Sequence, residues 1–148
     1  GYWLPVDAEN GDSSNWLSTD RVVGQIRGMQ AKHVMVVADS CFSGTLTRAI
    51  KIEQRTPEWF AQIVDKKART ALTSGGLEPV TDAGSRGHSA FANAFISLLK
   101  DNDGVLDGAE LFAKLRPKVV ANADQTPQYG VIHRAGDDGG DFLFVRRQ

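Results

Sequence analysis

The stretch HVMVVADSCFSG at positions 33–44 decides the fold class, and it holds the chain's single cysteine, Cys41. Positions 33–38 form a short, continuous apolar run that is rich in β-branched residues. Such a run predicts a strand buried on both faces, as in a parallel α/β sheet. The polar residues Asp39 and Ser40 end the run, so we expect Cys41 on an exposed loop at the carboxyl end of a central strand, where open α/β sheets bind their ligands.

Strands and helices alternate on both sides of this run. Three further segments have the composition of short strands, at positions 2–6, 69–73 and 141–146. Helices are predicted to begin at polar capping residues, which are Ser18 or Thr19, Thr56 with Pro57 after it, Ser89 and Asp107. The alternation predicts an α/β sandwich with a mostly parallel sheet, and Pro117 is expected to kink or break the last helix.

Length and composition restrict the class of protein. The chain has 148 residues, a size typical of one domain, with 41% hydrophobic and 24% charged residues. Its net charge of −1 gives no bulk electrostatic reason to expect nucleic acid or an anionic membrane as partner. No apolar run in the sequence approaches the roughly 18–20 residues of a membrane span. One cysteine excludes an internal disulfide, a four-cysteine zinc site and a CxxC pair, and it favours a reducing compartment such as the cytoplasm.

The start of the chain is unusual. It has no initial methionine, and YWLPVDA at positions 2–8 reads like a strand entered in mid-course. We therefore expect a fragment, a processed subunit or a trimmed chain, and we give the absence of targeting signals little weight.

Cys41 has two interpretations. A free cysteine is most often a small buried hydrophobe, whereas a thiol at the carboxyl end of a strand is placed to act as a nucleophile. A cysteine phosphatase loop has Arg where this chain has Thr47, and the arginine here, Arg48, comes one residue too late. Position alone leaves the buried hydrophobe and the nucleophile both open.

Positions 34–44 closely resemble the active-site strand of the caspase-like cysteine peptidases, and the D-S-C-x-S-G loop is most similar to the bacterial metacaspase and orthocaspase branch. Further segments resemble that family in the same order, namely 2–8, 89–91, 126–129 and 139–142. The resemblance implies a three-layer caspase-like sandwich whose N-terminal strands are missing from this chain. It also implies a partial catalytic domain made of the end of a large-subunit region, about positions 1–55, and a small-subunit-like region, about 68–148.

The resemblance implies a cysteine endopeptidase in which Cys41 is the nucleophile of a Cys–His dyad. A neutral thiol is a poor nucleophile, so a nearby histidine must take its proton or hold a thiolate–imidazolium pair. In caspases the histidine precedes the cysteine by about 50 residues, which places it upstream of Gly1. The three histidines of the chain, His33, His88 and His133, are expected to have structural or solvated roles. A catalytically silent caspase-like scaffold or regulatory binding module is the alternative.

Two further positions match substrate-binding positions of the family. Asp39 is implied to line the S1 pocket and to select Arg or Lys at P1, whereas the alternative is a loop carboxylate that accepts backbone N–H bonds. Thr73 and Ser74 are implied to pair with the extended substrate backbone, or they simply end a strand. The implied partners are a peptide or protein substrate and the missing N-terminal segment of the same domain, with no nucleic acid and no membrane.

The acidic segment 101–110 invites a calcium interpretation, but the first carboxylate of an EF-hand loop would fall at Leu99. A simpler interpretation is a turn at 103–104 followed by a helix that Asp107 and Glu110 cap. No cofactor and no metal site are therefore expected, although calcium activation through other acidic residues, known in some relatives, stays open.

Basic residues follow Cys41 and are expected to be mostly solvated surface, or self-cleavage sites in a linker between the two subunit regions. They are Arg48, Lys51, Arg55, Lys66, Lys67 and Arg69.

Overall fold

A computed structural model describes residues 1–41, 47–49, 55–75 and 87–147 of the chain. Lys51 and positions 42–46 of the predicted nucleophile loop lie outside the described residues. In chain order the strands and helices are β1 (Tyr2–Trp3), β2 (Leu17–Ser18), α1 (Thr19–Gly28), β3 (His33–Cys41), β4 (Thr47–Ala49), α2 (Pro57–Asp65), β5 (Ala68–Gly75), α3 (Ala90–Asp101), β6 (Val105–Asp107), α4 (Gly108–Val120), β7 (Gln128–Ile132) and β8 (Leu143–Val145).

Polar side chains cap the helices where the sequence predicts. In each case an oxygen of the capping side chain accepts a hydrogen bond from a main-chain N–H of the first turn, which would otherwise lack a partner. The four bonds run from Arg21 to Ser18 Oγ (3.3 Å), from Trp59 to Thr56 Oγ1 (3.2 Å), from Ala92 to Ser89 Oγ (2.9 Å) and from Glu110 to Asp107 Oδ1 (2.9 Å). Pro57 occupies the start of α2, as predicted.

The last helix, α4, continues through Pro117 to Val120, so of the predicted kink or break the break is wrong and the kink stays a prediction. A proline inside a helix removes one main-chain hydrogen bond and crowds the preceding turn. The burial of one apolar face outweighs that cost. The buried side chains of this face are Ala109, Leu111, Leu115 and Val119.

The largest sheet has the order β3-β5-β7-β4 in the described residues. β3 and β5 are parallel and are joined by a crossover that contains α2, as parallel neighbours require. β7 pairs antiparallel with β5 and with β4. The fold is therefore mixed α/β. The prediction of a mostly parallel sheet is wrong for the described strands, because two of the three strand pairs are antiparallel. The sequence pattern did not predict β7, because Gln128 and Gly130 interrupt this five-residue strand.

The position of β3 in the sheet also differs from the prediction. Within the described residues β3 lies at one end of the sheet order, where we expected a central strand. The small strands form separate antiparallel pairs, β1 with β2 and β6 with β8. None of the described helices is both long enough and apolar enough to cross a bilayer.

Helices contact both faces of the four-stranded sheet. Successive residues of a strand point to opposite faces, and the sheet residues accordingly divide between two hydrophobic clusters. One cluster contains Leu72 of β5 with buried residues of α3 and α4. The other contains Ala71, the preceding residue, with Ile26 of α1. Both faces of β5 are thereby buried. The burial on both faces that the sequence predicts for 33–38 is not found, since these residues of β3 are half-buried and Val37 is exposed.

Candidate active site at the carboxyl ends of the parallel strands

The carboxyl ends of β3 and β5 meet at one edge of the sheet, because the two strands are parallel. The register pairs Ala38 with Thr73 and Cys41 with Gly75, with an irregularity between the two pairs. β7 runs in the other direction, so its first residue, Gln128, also lies at this edge, opposite Thr73. The structure therefore brings several of the predicted site residues to one place.

Cys41 is the last residue of β3, since the strand continues past Ala38. The sequence predicts Cys41 on the loop after the strand, one step further out. The irregular register just before Cys41 is of the kind that redirects side chains, and such bulges are common beside active sites. The Cys41 side chain itself lies outside the described residues, so its role as nucleophile stays a prediction.

Asp39 is exposed, two residues before the end of β3. Its Oδ2 accepts a hydrogen bond from the hydroxyl of Ser89, fifty positions further along the chain. This partner comes from another element, whereas the alternative interpretation of Asp39 expected main-chain N–H groups of its own loop. An exposed carboxylate with one oxygen hydrogen-bonded to the protein can still bind a cationic ligand.

Ser89 links this edge of the sheet to α3. Its oxygen accepts a hydrogen bond from the N–H of Ala92 at 2.9 Å, while its proton goes to Asp39. A hydroxyl has one proton to donate and two lone pairs to accept with, so it satisfies both partners together. Sequence reasoning identified Ser89 as a helix cap and missed its contact with Asp39, because a single sequence carries no signal for a contact between distant positions.

Thr73 and Ser74 lie at the same edge, and both are buried in β5. Thr73 has strand neighbours on both sides, Ala38 in β3 and Gln128 in β7, so a substrate strand would find no free side there. Ser74 Oγ donates to the main-chain oxygen of Ser40 at 3.5 Å, which connects the two strand ends. Substrate binding by Thr73 and Ser74 stays a prediction, and these contacts favour the alternative of a strand end.

The three histidines occupy different parts of the fold. His33 is the first residue of β3, at the edge opposite to this site. His133 follows the last residue of β7, which runs antiparallel to β5 and therefore also ends at the opposite edge. His88 is exposed and directly precedes Ser89. His88 is thus the histidine of the described chain that lies next to the candidate site.

A buried polar network surrounds the start of α4. Arg55 donates to both carboxylate oxygens of Asp107, and Asp141 accepts from the hydroxyl of Tyr129 and from the N–H of Ala109. Burial alone would raise the pKa of Asp107, but the hydrogen bonds from Arg55 and the α4 main chain outweigh it and lower that pKa. Burial, reinforced by the charge of Asp107, raises the pKa of Asp141. The network therefore places a carboxyl group with a lowered pKa beside one with a raised pKa.

The segment considered for calcium, 101–110, forms the end of α3, a turn, β6 and the first residues of α4. The Asp107 carboxylate accepts hydrogen bonds from the Arg55 guanidinium and from the main-chain N–H of Glu110. It therefore already has a cationic partner and a main-chain partner. These contacts confirm that Asp107 caps α4. In the part of the chain that the structure describes, no three His, Cys, Asp or Glu side chains are grouped so that they could hold a metal ion.

One basic residue that the sequence assigned to the surface is fully buried. Arg69 donates to the main-chain oxygens of Met29 (3.1 Å), Ala31 (2.8 Å) and Lys32 (2.9 Å). The surface prediction is wrong for Arg69, because carbonyl groups between α1 and β3 accept hydrogen bonds from both terminal nitrogens of its buried guanidinium. Arg69 is therefore inaccessible as a self-cleavage site, and Arg55 is held within the network described above.

No family model, no curated protein and no solved structure was found to match this chain. The function proposed below therefore rests on the contacts of this chain and on the resemblance carried by positions 34–44.

Proposed function

We propose that this chain is the C-terminal part of a caspase-like catalytic domain, a cysteine endopeptidase that cleaves after Arg or Lys. The observation that carries the proposal is the shared edge of β3 and β5. Cys41 ends β3 there, and the exposed carboxylate of Asp39 lies two residues before it, held by Ser89. The helices that contact both faces of the sheet support the three-layer sandwich that the resemblance implies.

The proposed reaction needs an activated thiol at Cys41. A histidine takes the thiol proton, the sulfur attacks the scissile carbonyl carbon, and the same histidine returns the proton to the leaving amine. Water then hydrolyses the thioester and regenerates the thiol. Main-chain N–H groups beside Cys41 are proposed to stabilise the oxyanion. By resemblance to the family, the histidine comes from the segment upstream of Gly1.

Asp39 is proposed to set the P1 preference. A carboxylate pairs with a guanidinium through two parallel hydrogen bonds, whereas a lysine ammonium acts as a point charge. Arg is therefore expected to be a better P1 residue than Lys, and an acidic P1 residue is expected to be repelled. The exposure of Asp39 supports this role, because the carboxylate is accessible to a substrate.

The edge of β3 that has no neighbour among the described strands supports the proposed partner segment. Among the described strands β3 has one neighbour, β5. Its side chains at 33–38 are mainly apolar, and Val37 remains 41% exposed. An apolar strand with an open edge favours pairing with a further strand. We propose that the N-terminal segment of the same domain supplies that strand.

Cleavage of a fluorogenic peptide ending in Arg by the full-length protein tests the proposal, with Cys41→Ala as the matched variant. The expected result is cleavage by the parent and none by Cys41→Ala at an unchanged melting temperature. Cleavage that persists in Cys41→Ala would contradict the assignment of the nucleophile. A folded parent that binds basic peptides without cleaving them would favour the catalytically silent scaffold or regulatory module.

His88→Gln distinguishes two sources of the general base, because His88 is the described histidine next to the site. If the base is the upstream histidine, His88→Gln should cleave at close to the parent rate. The control variant His133→Gln should do the same. A loss of about a hundredfold or more in kcat for His88→Gln alone would instead assign the base to His88.

A further inference from the structure

We infer that Ser89 is a positioning residue for substrate selection, and that its hydroxyl orients the Asp39 carboxylate for a P1 arginine. This inference rests on the proposed function and adds to it Ser89, to which the resemblance of positions 89–91 gives only the start of a helix. It starts from one contact, the hydrogen bond from the Ser89 hydroxyl to Asp39 Oδ2. The consequence is that α3 takes part in specificity, although the sequence assigns Ser89 only to the start of the helix.

The cap of α3 determines where the Ser89 proton points. The N–H of Ala92 occupies one lone pair of Ser89 Oγ at 2.9 Å, so the hydroxyl proton is directed away from the helix and toward Asp39. The Asp39 side chain is exposed, and an exposed carboxylate without such a partner samples several rotamers. The bond to Ser89 therefore fixes the plane of the carboxylate.

A fixed carboxylate plane matters more for arginine than for lysine. A guanidinium makes two parallel bonds only when its plane and that of the carboxylate coincide. A lysine ammonium has no plane and tolerates a range of carboxylate directions. Loss of the Ser89 hydroxyl should therefore weaken the binding of Arg substrates more than that of Lys substrates. Loss of a helix cap alone would not produce this difference.

Three variants separate the positioning role from the capping role. Ser89→Gly removes the donor but changes capping little, because glycine is itself an acceptable N-cap residue. Ser89→Thr keeps the hydroxyl and both contacts. Ser18→Gly is the matched control, since Ser18 Oγ caps α1 in the same way, through the N–H of Arg21 at 3.3 Å.

In the full-length protein, Ser89→Gly should raise the KM for an Arg peptide about tenfold. Losing one hydrogen bond to a charged group has an effect of about this size. The kcat should change little, and the ratio of kcat/KM for Arg over Lys should fall. Ser89→Thr should restore parent values, and Ser18→Gly should keep the parent ratio. The rate at which iodoacetamide alkylates Cys41 should be the same in all of these variants.

A double-mutant cycle makes the test specific to Asp39. In an Asp39→Asn background, Ser89→Gly should have no further effect on the Arg-to-Lys ratio, because the carboxylate to be oriented is gone. The inference is overturned if the two effects add, or if Ser89→Gly and Ser18→Gly change the ratio equally. A parent that does not cleave basic peptides overturns the proposed function, and this inference with it. A parent that cleaves them while Ser89→Gly keeps the parent Arg-to-Lys ratio overturns this inference alone.

Discussion

Arg55 donates hydrogen bonds to both carboxylate oxygens of Asp107, which is fully buried. The bond from Arg55 Nη2 to Asp107 Oδ1 measures 2.8 Å, and the guanidinium carbon lies 5.6 Å from the ring centre of Trp59. Glu110 Oε2 lies 3.7 Å from Arg55 Nε. Because Asp107 also caps α4, one guanidinium connects the start of α2 to the start of α4.

Arg55→Met is expected to lower the free energy of unfolding by about 3 kcal/mol, because the buried carboxylate of Asp107 loses its cation. Urea unfolding measures this loss. Lys32→Met is the matched control: Lys32 pairs with Asp65 at 3.1 Å, but both side chains are exposed, so the loss should not exceed about 0.5 kcal/mol. Equal losses in the two variants would contradict the role assigned to the buried pair.

Asp141 should make stability fall as the pH rises. Burial raises the pKa of Asp141 above its ordinary value of 3.8, so the folded protein binds this proton more tightly than the unfolded chain does. The corresponding stabilisation is complete below the unfolded pKa and is lost as the pH rises through the folded pKa. Asp141→Asn cannot ionise, and the difference in free energy of unfolding, parent minus variant, should therefore decrease from about pH 4 upward. A difference that grows with pH in urea titrations would contradict the raised pKa.

Gly108 begins α4 where no side chain fits. A Cβ at this position would lie 2.7 Å from Asp141 Oδ1 and from Met35 Cε and would overlap the hydroxyl of Tyr129. Gly108→Ala is expected to cost about 1–3 kcal/mol through overpacking. Gly24→Ala, in α1 with open space around it, should instead stabilise by about 0.5–1 kcal/mol. The two melting temperatures should move in opposite directions, and a rise in both would show that Gly108 is not tightly packed.

Asp39→Ala should lower kcat/KM for Arg and Lys peptides by about thirtyfold or more, because a P1 cation loses its charged partner. Alkylation of Cys41 by small reagents should be unaffected, since Asp39 has no part in activating the thiol. Asp138→Ala, which removes an exposed aspartate on the segment between β7 and β8, is the control and should cleave like the parent. Equal cleavage of Arg peptides by Asp39→Ala and the parent would show that Asp39 does not select P1.

Local features of this fold could be predicted from the sequence. The caps at Ser18, Thr56, Ser89 and Asp107 depend on contacts within one helical turn, which the order of residues determines. The strand at 33–38 was found for a similar reason, because its apolar run is continuous, but the sequence ended it before Cys41, whereas β3 extends to Cys41. Each of these predictions uses neighbours in the chain alone.

Features that depend on distant residues could not be predicted in the same way. The contact between Asp39 and Ser89 joins positions fifty residues apart. The burial of Arg69 depends on carbonyl groups of the segment between α1 and β3. Its charge alone therefore led to the wrong prediction that it lies at the surface. Pairing of β7 with β5 and β4 likewise follows from tertiary packing, since Gly130 weakens the local strand pattern.

Covalent labelling tests the central claim most directly. A peptide chloromethyl ketone ending in Arg offers an electrophilic carbon beside the S1 site; attack by the Cys41 sulfur forms a carbon–sulfur bond and releases chloride. Mass spectrometry of the full-length protein should show one adduct on Cys41, formed much faster with the Arg reagent than with the matched reagent ending in Asp, and absent from Cys41→Ala. Labelling that is equally fast with both reagents, or that persists in Cys41→Ala, would contradict a cysteine peptidase specific for basic residues.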